Sequence, residues 1–170
     1  LILLRLGKWN NLKETVNKGA LGSMFPIFNT ASEVGYGAVI ASLAGFVIIR
    51  DMVLNVSSNP LISEAIAMNI LAGITGSSSG GMSIALSTLG ADYLAMANAA
   101  GISPELLHRI AALAAGCLDT LPHSGAVITL LSICGMTHKQ SYGHVAMCTV
   151  LIPMISVTVA ITLGTLFGSF

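Results

Sequence analysis

The chain has 170 residues, of which 8% are charged and 54% hydrophobic, with a formal net charge of zero and a mean hydropathy of +0.86. A soluble domain has about 25% charged residues, so a water-soluble globule of this composition would lack polar surface, and a membrane protein is expected. The Lys and Arg residues form no basic stripe, which leaves nucleic-acid binding without an electrostatic footprint.

Residues 1–4 read as the tail of an earlier span rather than as a signal peptide, which would place charge before its apolar run and a small-residue cleavage site after it. The chain is therefore expected to be the C-terminal part of a longer protein. In this division residues 1–18 close a preceding helix and form a connector, and residues 19–170 form a transmembrane region. Arg5, Lys8, Lys13 and Lys18 concentrate positive charge in the connector, which the positive-inside rule places on the cytoplasmic side.

Residues 19–49 are apolar except between 26 and 37, where Pro26, Asn29, Thr30, Ser32, Glu33, Gly35 and Gly37 interrupt the run. The two flanks are too short for two full spans, so either a re-entrant hairpin with its tip at residues 29–35 or a single broken span is expected. Arg50 and Asp51 read as charges at headgroup level, and N-V-S-S-N-P at residues 55–60 reads as a turn.

The next apolar segment, residues 61–89, carries the stretch G-S-S-S-G-G at its centre. Glu64 near its start is expected to reach headgroups or water, as are Asp92 and Glu105. Residues 90–104 read as a short surface stretch. Ser103, Pro104 and Glu105 then supply an N-cap, a first-turn proline and a first-turn acid for a helix reaching Cys117. The polar cluster D-T-L-P-H-S-G interrupts a third apolar segment, which resumes over residues 126–136. Residues 137–144 read as a loop, and residues 145–170 as the last transmembrane helix, kinked at Pro153.

Unpaired backbone groups cost several kcal/mol each in hydrocarbon, so a non-helical break at membrane depth survives where it lines a cavity inside protein. The breaks are thus binding-site candidates, and half-helix N-termini at such breaks suit anionic groups. A carboxylate at that depth points to a water-filled path or a proton relay, which singles out Glu33 and Asp119. His123 stands four residues from Asp119, and an imidazole there could share its proton. The structural alternatives are a Glu33 held by backbone N–H groups, an Asp119 acting as a helix cap and a His123 satisfied in the core. Arg109 either snorkels to the interface or serves as counter-charge to a carboxylate.

Cys117, Cys134 and Cys148 are read as buried small hydrophobes, and no metal site or cofactor is expected from the histidines at 108, 138 and 144. Residues 76–80 match G-x-S-x-G, with Asp119 and His123 following. That elbow needs a strand before it and a helix after it, so an intramembrane serine hydrolase is a minor alternative.

The strings F-N-T-A-S-E-V-G-Y-G-A-V-I, G-I-T-G-S-S-S-G-G-M-S-I-A-L and L-D-T-L-P-H-S-G-A-V-I-T-L-L, with the later T-H-K-Q-S-Y, resemble the C-terminal part of the gluconate permease (GntP) family, particularly its hydroxybutyrate-permease-like members. The similarity extends over nearly the whole chain. It implies a multi-pass bacterial inner-membrane proton symporter for small hydroxy-carboxylates such as gluconate, related sugar acids or 3-hydroxybutyrate. It also implies an all-α polytopic carrier of the ion-transporter superfamily, built from broken helices and re-entrant hairpins and moving in an elevator-like way. Such carriers often form homodimers, and here the missing N-terminal half would be required. By motif, the resemblance places Asn29, Thr30, Ser77, Ser78, Ser79, Gly80, Gly81 and Ser124 at the substrate, and Glu33, Asp119 and His123 at the coupling proton. A channel or a non-transporting membrane subunit is the alternative from another class.

Overall fold

The Gly/Ser-rich stretch folds as the tip of a helical hairpin. In the computed structural model, which describes residues 12–168, α3 (Pro60–Thr75) and α4 (Ser78–Ala99) run antiparallel from a two-residue turn at Gly76 and Ser77. Asn59 opens α3, its side chain accepting from the Leu61 N–H at 3.0 Å, and Pro60 occupies the first helical position, where a missing N–H costs nothing. Gly76 ends α3 in the left-handed region (φ 66°), and the Ser77 N–H returns to Ala72 O at 3.2 Å. The break is therefore far narrower than the run of small residues that marks it.

α3 is the centre of the bundle. Leu61, Ala65, Met68, Leu71 and Ala72 are buried on it, and α4, α5 (Pro104–Ala115), α2 (Ala44–Leu54), α1 (Leu12–Ser42) and α8 (Ile152–Phe167) all pack against it. Sixteen helical residues reach roughly 24 Å, short of a hydrocarbon core about 30 Å thick. Ser103 caps α5, its hydroxyl accepting from the Leu106 N–H at 3.2 Å, as the sequence leads one to expect. After α5 the chain leaves the helix over residues 116–124 and resumes as α6 (Gly125–Cys134), so this break is borne out.

Three expected boundaries move. The backbone of α1 is helical from Leu12 to Ser42 and passes through Pro26, so neither a hairpin tip nor a break occurs at residues 26–37, and residues 12–18 of the expected connector are its first turns. The physical reason lies in the polar side chains: Ser23 and Ser32 donate back to Ala20 O (2.8 Å) and Phe28 O (2.7 Å), satisfying their hydroxyls without opening the helix. The interruption comes at Leu43, whose backbone is extended between α1 and α2. Within α1, the side chains of Asn29, Thr30, Glu33, Val34, Gly37 and Ala41 lie outside the described residues.

α4 continues to Ala99, which reduces the expected surface stretch of residues 90–104 to a short turn. The expected loop at 137–144 is α7 (His138–Ala146), started by Gln140, whose Oε1 accepts from the Thr137 N–H at 3.0 Å. α7 leads through a π turn, Met147–Leu151, into α8. Pro153 cannot donate to Thr149 O, and the wider turn, in which Ile152 N–H bonds Met147 O, absorbs the mismatch. His138–Phe167 is the one helix among the described residues long and apolar enough to cross a membrane. Large apolar side chains on its outer face and on α1 and α6, among them Phe28, Ile133, Ile155 and Leu166, are exposed, a surface that suits lipid or further protein.

Candidate functional site

The hairpin tip meets the second break. A Cβ built on Gly76 would lie 3.1 Å from Ser124 Cα and 3.3 Å from His123 Cδ2, and one on Gly73 would lie 3.3 Å from Leu118 Cβ. Small residues thus let the turn at Gly76 rest directly on the backbone that opens α6. Ser77 is the N-cap of α4, with its Oγ accepting from the Gly80 N–H at 3.2 Å, and Ser124 is the N-cap of α6. The positive ends of two helix dipoles therefore converge at this contact.

Asp119 joins the two breaks. Its carboxylate lies near the Ser78 hydroxyl in the first turn of α4. Asp119 Oδ1 is buried and has no hydrogen-bond partner among the described residues, and the same holds for Ser124 Oγ, on a residue that is fully buried. The Thr75 hydroxyl donates to Leu71 O at 2.9 Å and lies 3.1 Å from Ser77 O, which ties the end of α3 to the tip.

The last helix holds the second break in place. Thr120 donates to Thr149 Oγ1 at 2.7 Å, Thr149 donates in turn to Val145 O at 2.8 Å, Tyr142 donates to Thr120 O at 3.2 Å, and His138 Nε2 sits 2.9 Å from Pro122 O. The π turn carries Thr149, so the irregularity enforced by Pro153 lies where the helix braces the break. No local sequence pattern pairs Thr120 with Thr149.

Of the residues expected at the site, the fold brings Ser77, Ser78, Gly80, Gly81, Asp119, His123 and Ser124 to one end of the bundle. Ser79 is exposed beside Ser77, their hydroxyls 3.4 Å apart. Gly80 and Gly81 are buried, and Gly81 faces the α3 backbone rather than the break, which makes its contribution one of packing. His123 is exposed, so it is not a satisfied core histidine. Asn29, Thr30 and Glu33 lie on α1, which packs on α3, α4 and α6, but their side chains lie outside the described residues. Arg109 is on the exposed side of α5.

Other expectations change. Glu64 is buried rather than in contact with headgroups or water, whereas Asp92 pairs with Arg50 at 2.8 Å and Glu105 is exposed. Cys117 is buried as expected, but Cys134 and Cys148 are exposed on helices whose neighbouring surface is apolar. The G-x-S-x-G match lies between two helices, not between a strand and a helix. Asn69, which the sequence did not single out, is buried, its Oδ1 without a hydrogen-bond partner among the described residues, and it lines a mostly apolar cleft of about 330 Å³ with Leu118, Met154 and Thr158.

No protein-family model matches the chain, and no solved structure matches it. The chain is 45% identical over 140 residues, 82% of its length, to "Uncharacterized transporter YxjC" of Bacillus subtilis (strain 168). The matched region covers 30% of that protein, so the chain spans less than a third of this relative's length. The described residues are all helical and include one helix long and apolar enough to cross a membrane, in keeping with a membrane setting.

Proposed function

We propose that the chain is part of a secondary transporter of the bacterial inner membrane that carries small hydroxy-carboxylates, such as gluconate, other sugar acids or 3-hydroxybutyrate, together with protons. The observation that carries this reading is the contact between Gly76 and Ser124, where the N-termini of α4 and α6 come together. Two adjacent positive dipole ends favour an anion, and the hydroxyls of Ser77, Ser78, Ser79 and Ser124 can donate to a carboxylate or to the hydroxyl of its acid. Transport in the general sense is also supported by the name of the relative.

Asp119 is the group that supports proton coupling in this reading. Its carboxylate lies beside Ser78, whose hydroxyl would also serve an anion bound at the tip, and two carboxylates in one site resist being ionised together. Binding a carboxylate substrate therefore favours the neutral acid at Asp119, and the pair travels as substrate anion plus proton. Glu33 and His123 are further proton carriers in this reading. Motion of the hairpin against the α5–α6 break supplies alternating access, in an elevator-like carrier that works as a homodimer with the rest of the chain present.

The test is uptake by the full-length protein in proteoliposomes, using a panel of labelled hydroxy acids. Counterflow exchange and accumulation on an imposed pH gradient are both expected for at least one acid. With Asp119→Asn, exchange is expected to persist and proton-driven accumulation to fail. A solute that equilibrates but never accumulates would establish a channel instead.

A further inference from the structure

Glu64 is the buried carboxylate among the described residues: it is 1% exposed, and its Oε2 has no hydrogen-bond partner. The salt bridges of the described residues join Lys18 to Glu14 and Arg50 to Asp92, and neither includes it. It stands twelve residues before Gly76, about 18 Å along α3 from the hairpin tip, so a substrate held at the tip does not reach it.

Among the described residues, no group around it is placed as its counter-charge. From α4, Tyr93 is buried and its hydroxyl donates to Ser63 O at 3.2 Å, while Asp92 is occupied by Arg50 of α2. Asp51 of α2 and Glu105, His108 and Arg109 of α5 are exposed, and α8 carries no ionisable side chain. On α1, Lys13, Glu14, Lys18 and Tyr36 are exposed, and the side chain of Glu33 lies outside the described residues. Leu61, Ala65 and Met68 are buried beside Glu64 on its own helix. An ionised carboxylate at such a position would be desolvated without compensation, whereas the neutral acid is accommodated.

The geometry points to Glu64 as a second proton-binding site of the carrier, separate from the tip, which holds its proton while the α3–α4 hairpin is packed as seen here. The step is a proton transfer between Glu64 and water on opposite sides of the membrane: the acid releases its proton where hairpin movement opens its surroundings to one side, and takes one up from the other side before the hairpin packs again. This inference rests on the transport reading above, and it adds a proton to each cycle that Asp119 alone does not account for.

The experiment uses the full-length protein in liposomes, wild type and Glu64→Gln, read in two ways. The infrared band of protonated carboxyl groups at neutral pH is expected to weaken in Glu64→Gln, and this readout needs no substrate. The ratio of protons to substrate, followed with a pH dye during uptake, is expected to fall by one. Since each proton carried multiplies accumulation about tenfold per pH unit, the steady-state accumulation on a one-unit gradient should fall about tenfold. An unchanged band, or an unchanged ratio and accumulation, overturns the proposal. If no hydroxy acid is transported by the wild type, the proposed function fails while the infrared readout still decides Glu64. Should Glu64→Gln not insert, a hydrophobic carbodiimide that reacts with protonated carboxyl groups is applied to the wild type. An adduct on Glu64 whose yield falls as pH rises supports the site, and its absence at every pH overturns it.

Discussion

Gly81, in the first turn of α4, lies directly against the backbone of Ala72 on α3: a Cβ built on Gly81 would come within 2.4 Å of both Ala72 N and Ala72 Cα. No side-chain rotation relieves such a contact, because both atoms are main chain. The closeness of the two arms at the hairpin tip therefore depends on this glycine.

Gly81→Ala is expected to destabilise the protein by at least about 1–3 kcal/mol, the usual cost of overpacking, and more where the backbone cannot yield. Gly80→Ala provides the contrast, because its added Cβ would meet the Ser77 side chain at 3.3 Å. Thermal unfolding in detergent should show a clear loss of melting temperature for Gly81→Ala and a much smaller one for Gly80→Ala. Equal melting temperatures would remove the packing role assigned to Gly81.

Gly76 and Gly135 both adopt the left-handed conformation, with φ of 66° and 63°, but nothing lies within 4 Å of a Cβ built on Gly135. Alanine at either position pays a backbone cost of about 1–2 kcal/mol. At Gly76 the new methyl also presses on Ser124 Cα and the His123 ring. Substrate uptake should accordingly fall several-fold more in Gly76→Ala than in Gly135→Ala at matched expression, and equal losses would mean that strain alone matters.

Thr149→Val keeps the shape of the side chain and leaves the Thr120 hydroxyl without its 2.7 Å acceptor, at a cost of about 1 kcal/mol. Because this bond braces the break over residues 116–124, the KM for substrate is expected to rise. The double variant Thr120→Val with Thr149→Val should recover part of the stability, since no donor is then stranded. Additive losses in the double-mutant cycle would show that the two hydroxyls do not act together.

Arg50 and Asp92 make a 2.8 Å ion pair between α2 and α4, with side chains 43% and 41% exposed. The hydrogen bond from Arg50 to Asp92, and then the charge of Asp92, raise the pKa of the guanidinium above its ordinary value. At this exposure solvent screening keeps the pair's contribution small. A double-mutant cycle with Arg50→Gln and Asp92→Asn should give a weak coupling that fades with added salt. A larger, salt-independent coupling would show that the pair is buried in the full-length protein.

Composition and local chemistry determined much of this fold. The scarcity of charge pointed to a membrane setting, the Asn59–Pro60 and Ser103–Pro104 pairs set the starts of α3 and α5, and Gly76 with Ser77 marked a chain reversal because the first tolerates positive φ and the second caps the helix that follows. The D-T-L-P-H-S-G cluster likewise announced the second break. Polarity was a poorer guide where helices can satisfy it internally: Ser23 and Ser32 bond carbonyls of their own helix, so α1 runs on where a break was expected, and Gln140 turns an apparent loop into the start of α7. Tertiary structure alone decided which distant groups meet. Thr120 finds Thr149, Gly76 rests on Ser124, Asp119 comes beside Ser78, and Glu64 is buried because α3 is enclosed by its neighbours. Hydrophobic periodicity cannot foretell that enclosure, since a helix apolar all round shows no side on which its one carboxylate would find water.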